Sequence, residues 1–271
     1  MLDLSDITDR DVREKLEREL ARSIEFSDRW RVVGTALNSL QTDSFSDTRT
    51  YPRPDHPNPL KRRPVEFLLV AVLVSLRTTL ENEQKAMNRV LEVCQNVSDL
   101  NDLTYDELVA LIKPAGMPEQ KSQRIIKCLE RVGELDGGLQ SLEHRSKEDA
   151  RDYLLSLPGI GPKAADCVLS IGLGHPSIVV DVNVFRMASF LFGVDKADLL
   201  KYSNAKAVTD IKTRLDVVVG QDVFLCQIIH TMLLLAGRRF NAATHSSEKC
   251  AGGYTYCLTC ERERRNNPSL F

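Results

Sequence analysis

No excess of positive charge marks this chain: 36 Lys and Arg stand against 38 Asp and Glu, for a formal charge of −2. Bulk attraction to phosphate is thereby excluded, so a nucleic-acid surface would have to come from local clustering of basic side chains. Long apolar stretches are missing too. The longest, Phe67 to Leu76, is too short to span a bilayer, and no N-terminal segment joins a basic start to an apolar run. These absences argue against a membrane partner and a secretory leader, and point to an intracellular location, cytoplasm or nucleoid, or nucleus in a eukaryote. Strand-like alternation is scarce as well. The β-branched run Ser177 to Val182 is too isolated to build a sheet and reads as an extended connector. No internal repeat is found.

What is present is ordinary globular material, 42% apolar and 27% charged, in a chain of 271 residues. A core usually stops growing near roughly 250–300 residues, so one large domain or two small ones are allowed. Of the seven cysteines, Cys94, Cys128, Cys167 and Cys226 stand singly in apolar helical patterns, where a thiol behaves as a small core residue. Cys250, Cys257 and Cys260 alone are spaced like ligands.

Apolar residues three and four apart predict helix after helix. A helical preface covers Asp9 to Ser23 and Trp30 to Leu40. Five of the eleven prolines then fall between Pro52 and Pro64, marking a linker. Val65 to Arg77 is apolar almost all round, as in a buried helix. Asn82–Cys94, Thr104–Ile112, Lys121–Leu135, Lys147–Ser156 and Pro162–Leu173 follow, then Val182–Leu191, about Lys206–Val219 and Val223–Leu235. The expected fold class is all-α. The expected domains are an extension and linker over 1–64, a six-helix domain over 65–178, and a C-terminal helical domain with a cysteine-bearing tail over 179–271.

Chemistry concentrates in Leu157-Pro158-Gly159-Ile160-Gly161-Pro162-Lys163, between two helical patterns. Two glycines one apart let the backbone turn tightly and come close to a ligand, and Pro162 suits the first turn of a helix. Backbone N–H groups at a helix start attract phosphate, and Ile160 is suited to pack between the two helices. Lys163 sits where the helix dipole disfavours a cation by roughly 0.3–1 kcal/mol, which suggests a phosphate or a chemical task. The same field helps its amine act as a nucleophile. Eighteen residues on, Asp181 precedes Val182-Asn183-Val184-Phe185-Arg186 and stands where a helix N-cap belongs.

Taken together, Leu157-Pro-Gly-Ile-Gly-Pro-Lys163-Ala-Ala and Asp181-Val-Asn-Val-Phe-Arg186 resemble the signature of the endonuclease III-like branch of the helix-hairpin-helix DNA glycosylase superfamily. The similarity covers about Pro64 to Cys260. It implies two helical lobes with a DNA-binding cleft between them, double-stranded DNA as partner, and a monomer. It implies that Gly159, Ile160 and Gly161 grip phosphate, that Lys163 attacks the sugar, and that Asp181 assists from across the site. The activity implied is excision of a damaged base, oxidised pyrimidine by default, followed by AP-lyase cleavage. The competing readings are a monofunctional glycosylase for another base, such as oxidised guanine or modified cytosine, and a non-catalytic DNA-binding module.

The resemblance also assigns Arg77 to the place where the family usually has a glutamine that fills the hole left by a flipped base. It puts the loop Gly116 to Lys121 near the DNA, with Lys121, Arg186 and Arg238 as further DNA contacts. Other basic clusters are Lys61-Arg62-Arg63, Arg124 with Lys127, Arg238-Arg239 and Arg262-Glu263-Arg264-Arg265. In the tail, Cys250, Cys257 and Cys260 match the first three positions of the family's four-cysteine [4Fe–4S] set, and Asn266 holds the fourth. Three readings stay open: a cluster with an atypical fourth ligand, another metal such as zinc with His245, or a site without metal.

Overall fold

A computed structural model describes residues 63–192, 202 and 204–239. Within them all regular structure is helical, as the periodicity predicts. The described residues fall into two compact units, one ending at Ser177 and the other beginning at Ile178.

The first unit is organised around α1 (Val65–Val74), in which every residue is buried. Full burial of each Leu, Val or Phe contributes about 1.5–3 kcal/mol, so α1 anchors the unit. One polar side chain shares that burial: Glu66 is 5% exposed, and its Oε1 accepts the Leu139 N–H at 2.9 Å. The helix stops at Val74, three residues before the expected end. There the Ser75 hydroxyl turns back to donate to the Val72 carbonyl at 2.7 Å, and the chain leaves the helical path.

Next come α2 (Leu80–Val93), α3 (Val97–Asp102), α4 (Tyr105–Ile112) and α5 (Pro118–Gly133). Thr79 caps α2, and Asn96 and Thr104 open α3 and α4 with reciprocal capping boxes through Asp99 and Glu107. A short 3₁₀ segment, Leu139–His144, leads to α6 (Lys147–Ser156). Then α7 (Pro162–Cys167) widens into a π-helical turn over Val168–Gly172, where the sequence suggests one continuous helix. Gly172 explains the close approach of that turn to α1. A Cβ there would lie 2.7 Å from Leu68 Cδ2 and 2.8 Å from Val65 Cγ1.

The second unit opens with the predicted extended connector. Ile178, Val179 and Val180 are almost wholly buried, yet no strand among the described residues pairs with them. Their carbonyls are satisfied one by one by side chains: Lys212 Nζ donates to Ile178 at 2.9 Å, His230 Nδ1 to Val179 at 2.7 Å, and the Tyr202 hydroxyl to Val180 at 3.0 Å. A carbonyl can only accept, so His230 carries its proton on Nδ1. α8 (Val182–Leu191), α9 (Ala205–Val219) and α10 (Val223–Arg239) complete the unit. No helix among the described residues is long and apolar enough to cross a membrane.

Candidate active site

The predicted hairpin joins α6 to α7. Leu157 and Ile160 are buried, while Gly159 and Gly161 are exposed, so the turn is nailed down by its apolar side chains and offers its glycine backbone to solvent. The two glycines differ. Gly159 has φ +82, and a Cβ there would come within 2.7 Å of Arg124 Cδ. Gly161 has φ −99, which any residue adopts, and an added Cβ would meet nothing within 4 Å. Thus Gly159 makes the turn, whereas Gly161 leaves the backbone before α7 uncovered.

One face of α5 carries this turn. Arg124 lays its stem on Gly159, Cys128 Sγ donates to the Pro158 carbonyl at 3.3 Å, and Arg131 donates to the Ser156 carbonyl at 2.8 Å. The spacing i, i+4, i+7 keeps all three on one side of the helix. Burial pushes the Cys128 thiol up to about 11, so it remains a protonated donor at neutral pH. Sequence reading assigned Cys128 only to the core. The signal for more is its spacing from Arg124 and Arg131.

Lys163 is the second residue of α7 and is half-buried. One turn on, Asp166 is 2% exposed and lies 3.4 Å from Arg151 Nε, with the Ser177 hydroxyl donating to the same carboxylate oxygen at 2.8 Å. That carboxylate fixes α7 to α6 and to the last residue of the unit. Asp181 is half-buried in the second unit. Its Oδ1 accepts the N–H groups of Asn183 and Val184, both at 2.8 Å, and so it caps α8 as expected. Oδ2 keeps a weaker contact, 3.4 Å from Asn183 Nδ2.

Arg77 is exposed and stands just beyond α1 with φ +51. Met117, 38% exposed, has φ +50. These are the two non-glycine residues in the left-handed region among the described residues, each at a cost of roughly 1–2 kcal/mol.

Lys121 requires a correction. It is only 3% exposed, and its ammonium donates to the carbonyls of Val74 and Ala115, both at 2.8 Å. A lysine turned inward in this way does not meet phosphate. Its amphipathic helix put it beside Arg124 and Lys127 in sequence, but the apolar stripe of α5 rotates it into the unit. Arg186 is half-buried on α8. Arg238 lies in the last turn of α10, and its side chain is outside the described residues. Cys250, Cys257, Cys260, His245 and Asn266 are also outside them.

Among the described residues no group of three or more His, Cys, Asp or Glu could hold a metal ion, and the four described cysteines are buried thiols outside any disulfide. The tail's donor set supplies three thiolates with an asparagine at the fourth family position, which does not fit a four-thiolate cubane.

A helix-hairpin-helix with a lysine in the first turn of its second helix, followed by an aspartate-capped helix, is the arrangement that the resemblance to the helix-hairpin-helix DNA glycosylases implies. The model of the "HhH-GPD superfamily base excision DNA repair protein" matches residues 70–210. The chain belongs to that superfamily. It is 34% identical to endonuclease III of Thermotoga maritima over 46% of its own length and 55% of that protein. It is 28% identical to endonuclease III of Haemophilus influenzae, over 63% of its own length and 72% of that protein. A solved structure described as a non-covalent endonuclease III–DNA complex shares the fold, with a TM-score of 0.58 and 21% identity, over 98% of this chain and all of that one. The chain therefore spans little more than half of the Thermotoga relative.

Proposed function

We propose that this protein is a DNA glycosylase with AP-lyase activity that flips a damaged base, by default an oxidised pyrimidine, out of double-stranded DNA and excises it. The observation that carries the reading is the position of Lys163, in the first turn of α7 directly behind the exposed glycines of the hairpin. The relatives named endonuclease III and the superfamily model support the same class.

In this reading the backbone of Gly159 to Gly161 holds a phosphate of the damaged strand. The glycosidic bond is unreachable inside the stack, so the nucleotide rotates out, and the exposed guanidinium of Arg77 fills the space it leaves. The Asp181 carboxylate stabilises positive charge on the sugar as the C1′–N bond breaks, and it assists removal of a proton from the Lys163 ammonium. The neutral Lys163 amine then bonds to C1′, and the departing base takes up a proton. Opening of the sugar gives an iminium at C1′. Loss of a proton from C2′ then breaks the C3′–O bond and cuts the strand. Arg186 and Arg238 serve as further backbone contacts. No step is routed through a metal, since the tail's donors do not make up the family's four-thiolate set.

Borohydride reduction in the presence of abasic duplex tests the proposal. A covalent protein–DNA product is expected from the wild type and none from Lys163→Gln. Base excision without trapping would make the protein monofunctional, and DNA binding with neither would make it a non-catalytic module.

A further inference from the structure

Two exposed side chains, Arg77 and Met117, occupy the left-handed conformation that L-residues avoid. They belong to different segments forty residues apart, yet both segments end on the same cation. Arg77 follows Val74 by three residues, Met117 follows Ala115 by two, and the Val74 and Ala115 carbonyls are the two acceptors of the Lys121 ammonium. The Lys121 backbone adds a third link, donating its N–H to the Met117 carbonyl at 3.1 Å. The side chain reaches these oxygens from inside the unit, at 3% exposure. Burial pulls its pKa down, and the charge of Glu83, itself 4% exposed, acts in the opposite direction.

Desolvating an ammonium is costly, and a cation placed there to join two carbonyl ends gives a connection that apolar packing could not supply. Hydrophobic contact is non-directional, whereas the two hydrogen bonds fix both chain ends relative to one point. Each end then turns into a left-handed residue whose side chain leaves the surface.

We propose that Lys121 is a positioning residue that holds the Arg77 turn and the Gly116–Met117 turn in one fixed relation, so that both are presented to DNA as a unit. This rests on the reading of Arg77 and the Gly116–Met117 turn as DNA-facing. It assigns Lys121 no contact with DNA.

The test compares the full chain with Lys121→Met by amide hydrogen exchange, and by binding to a duplex carrying an abasic-site analogue relative to an intact duplex. Exchange is expected to quicken together at residues 76–78 and 116–117 and to stay unchanged at the hairpin, 157–162. The preference for the abasic duplex is expected to fall about tenfold, and Arg77→Ala should then cost little more, because coupled residues lose their effect together. Should Lys121→Met fail to fold, Lys121→Gln is used. Its shorter amide reaches one carbonyl, so exchange should quicken at one of the two turns. The proposal is overturned if a folded variant leaves exchange at both turns unchanged, or if Arg77→Ala costs the same preference with and without Lys121. If the wild type shows no preference for the abasic duplex, the functional reading fails on its own, and the exchange measurement alone decides the role of Lys121.

Discussion

The stem of Arg124 lies across Gly159, so near that a Cβ on the glycine would come within 2.7 Å of Arg124 Cδ. The helix that carries Arg124 also holds the hairpin through Cys128 and Arg131. The turn that meets DNA in the proposed reading is therefore a feature of α5 as much as of the two helices it joins.

The two hairpin glycines should separate by experiment. Gly159→Ala places a side chain at φ +82 and against Arg124, so unfolding stability should fall by about 1–2 kcal/mol or more. Gly161→Ala meets open space at an ordinary φ, so its stability should stay within about 0.5 kcal/mol of wild type. Both should weaken duplex binding, Gly161→Ala by covering the backbone. Urea melts set beside binding isotherms check this, and equal stability losses would count against the assignment of the turn to Gly159.

Asp181 offers a clean division between folding and chemistry. Asparagine caps helices about as well as aspartate, so Asp181→Asn should keep the melting temperature, while Asp181→Ala should lose about 0.5–2 kcal/mol. Both lose the carboxylate charge, and both should slow borohydride trapping by about 10²–10⁴-fold. An Asp181→Asn protein that traps at the wild-type rate would reduce Asp181 to a helix cap.

Cys128 gives a pH signature. Its thiol is pushed from the ordinary 9.0 up to about 11 in the folded protein. A raised folded-state pKa means its stabilising contribution is fully present below pH 9 and is lost as pH rises through about 11. The wild type should lose stability over that window more steeply than Cys128→Ala. Parallel denaturation curves from pH 8 to 11 would show the difference, and identical slopes would refute it.

Local patterns made the hairpin, Lys163 and the Asp181 cap legible, because each depends on residues adjacent in the chain. The short helix α3 is absent from the helices expected of the sequence: its single buried residue, Leu100, leaves almost no periodicity, and its signal lies instead in Asn96 and Asp99 at capping-box spacing. The inward turn of Lys121 had no such signal. Its partners lie 47 and 6 residues away, and only packing brings their carbonyls to it. The left-handed turns at Arg77 and Met117 were hidden for the opposite reason: the chain places ordinary residues where a sequence reader looks for glycine.

The connector before Asp181 yields the last prediction. Its β-branched residues read as an extended connector, and its three consecutive buried carbonyls go to Lys212, His230 and Tyr202. Removing one donor leaves a buried acceptor unsatisfied, which costs about 1–3 kcal/mol. Tyr202→Phe, Lys212→Met and His230→Leu should each destabilise by that amount. Neighbouring carbonyls share one backbone, so pairs of these substitutions should be non-additive by about 0.5 kcal/mol or more. Because the connector runs directly into Asp181, trapping by the fully folded fraction should also slow. If trapping per folded molecule stays at the wild-type rate in all three variants, the side chains hold the unit together without placing the carboxylate.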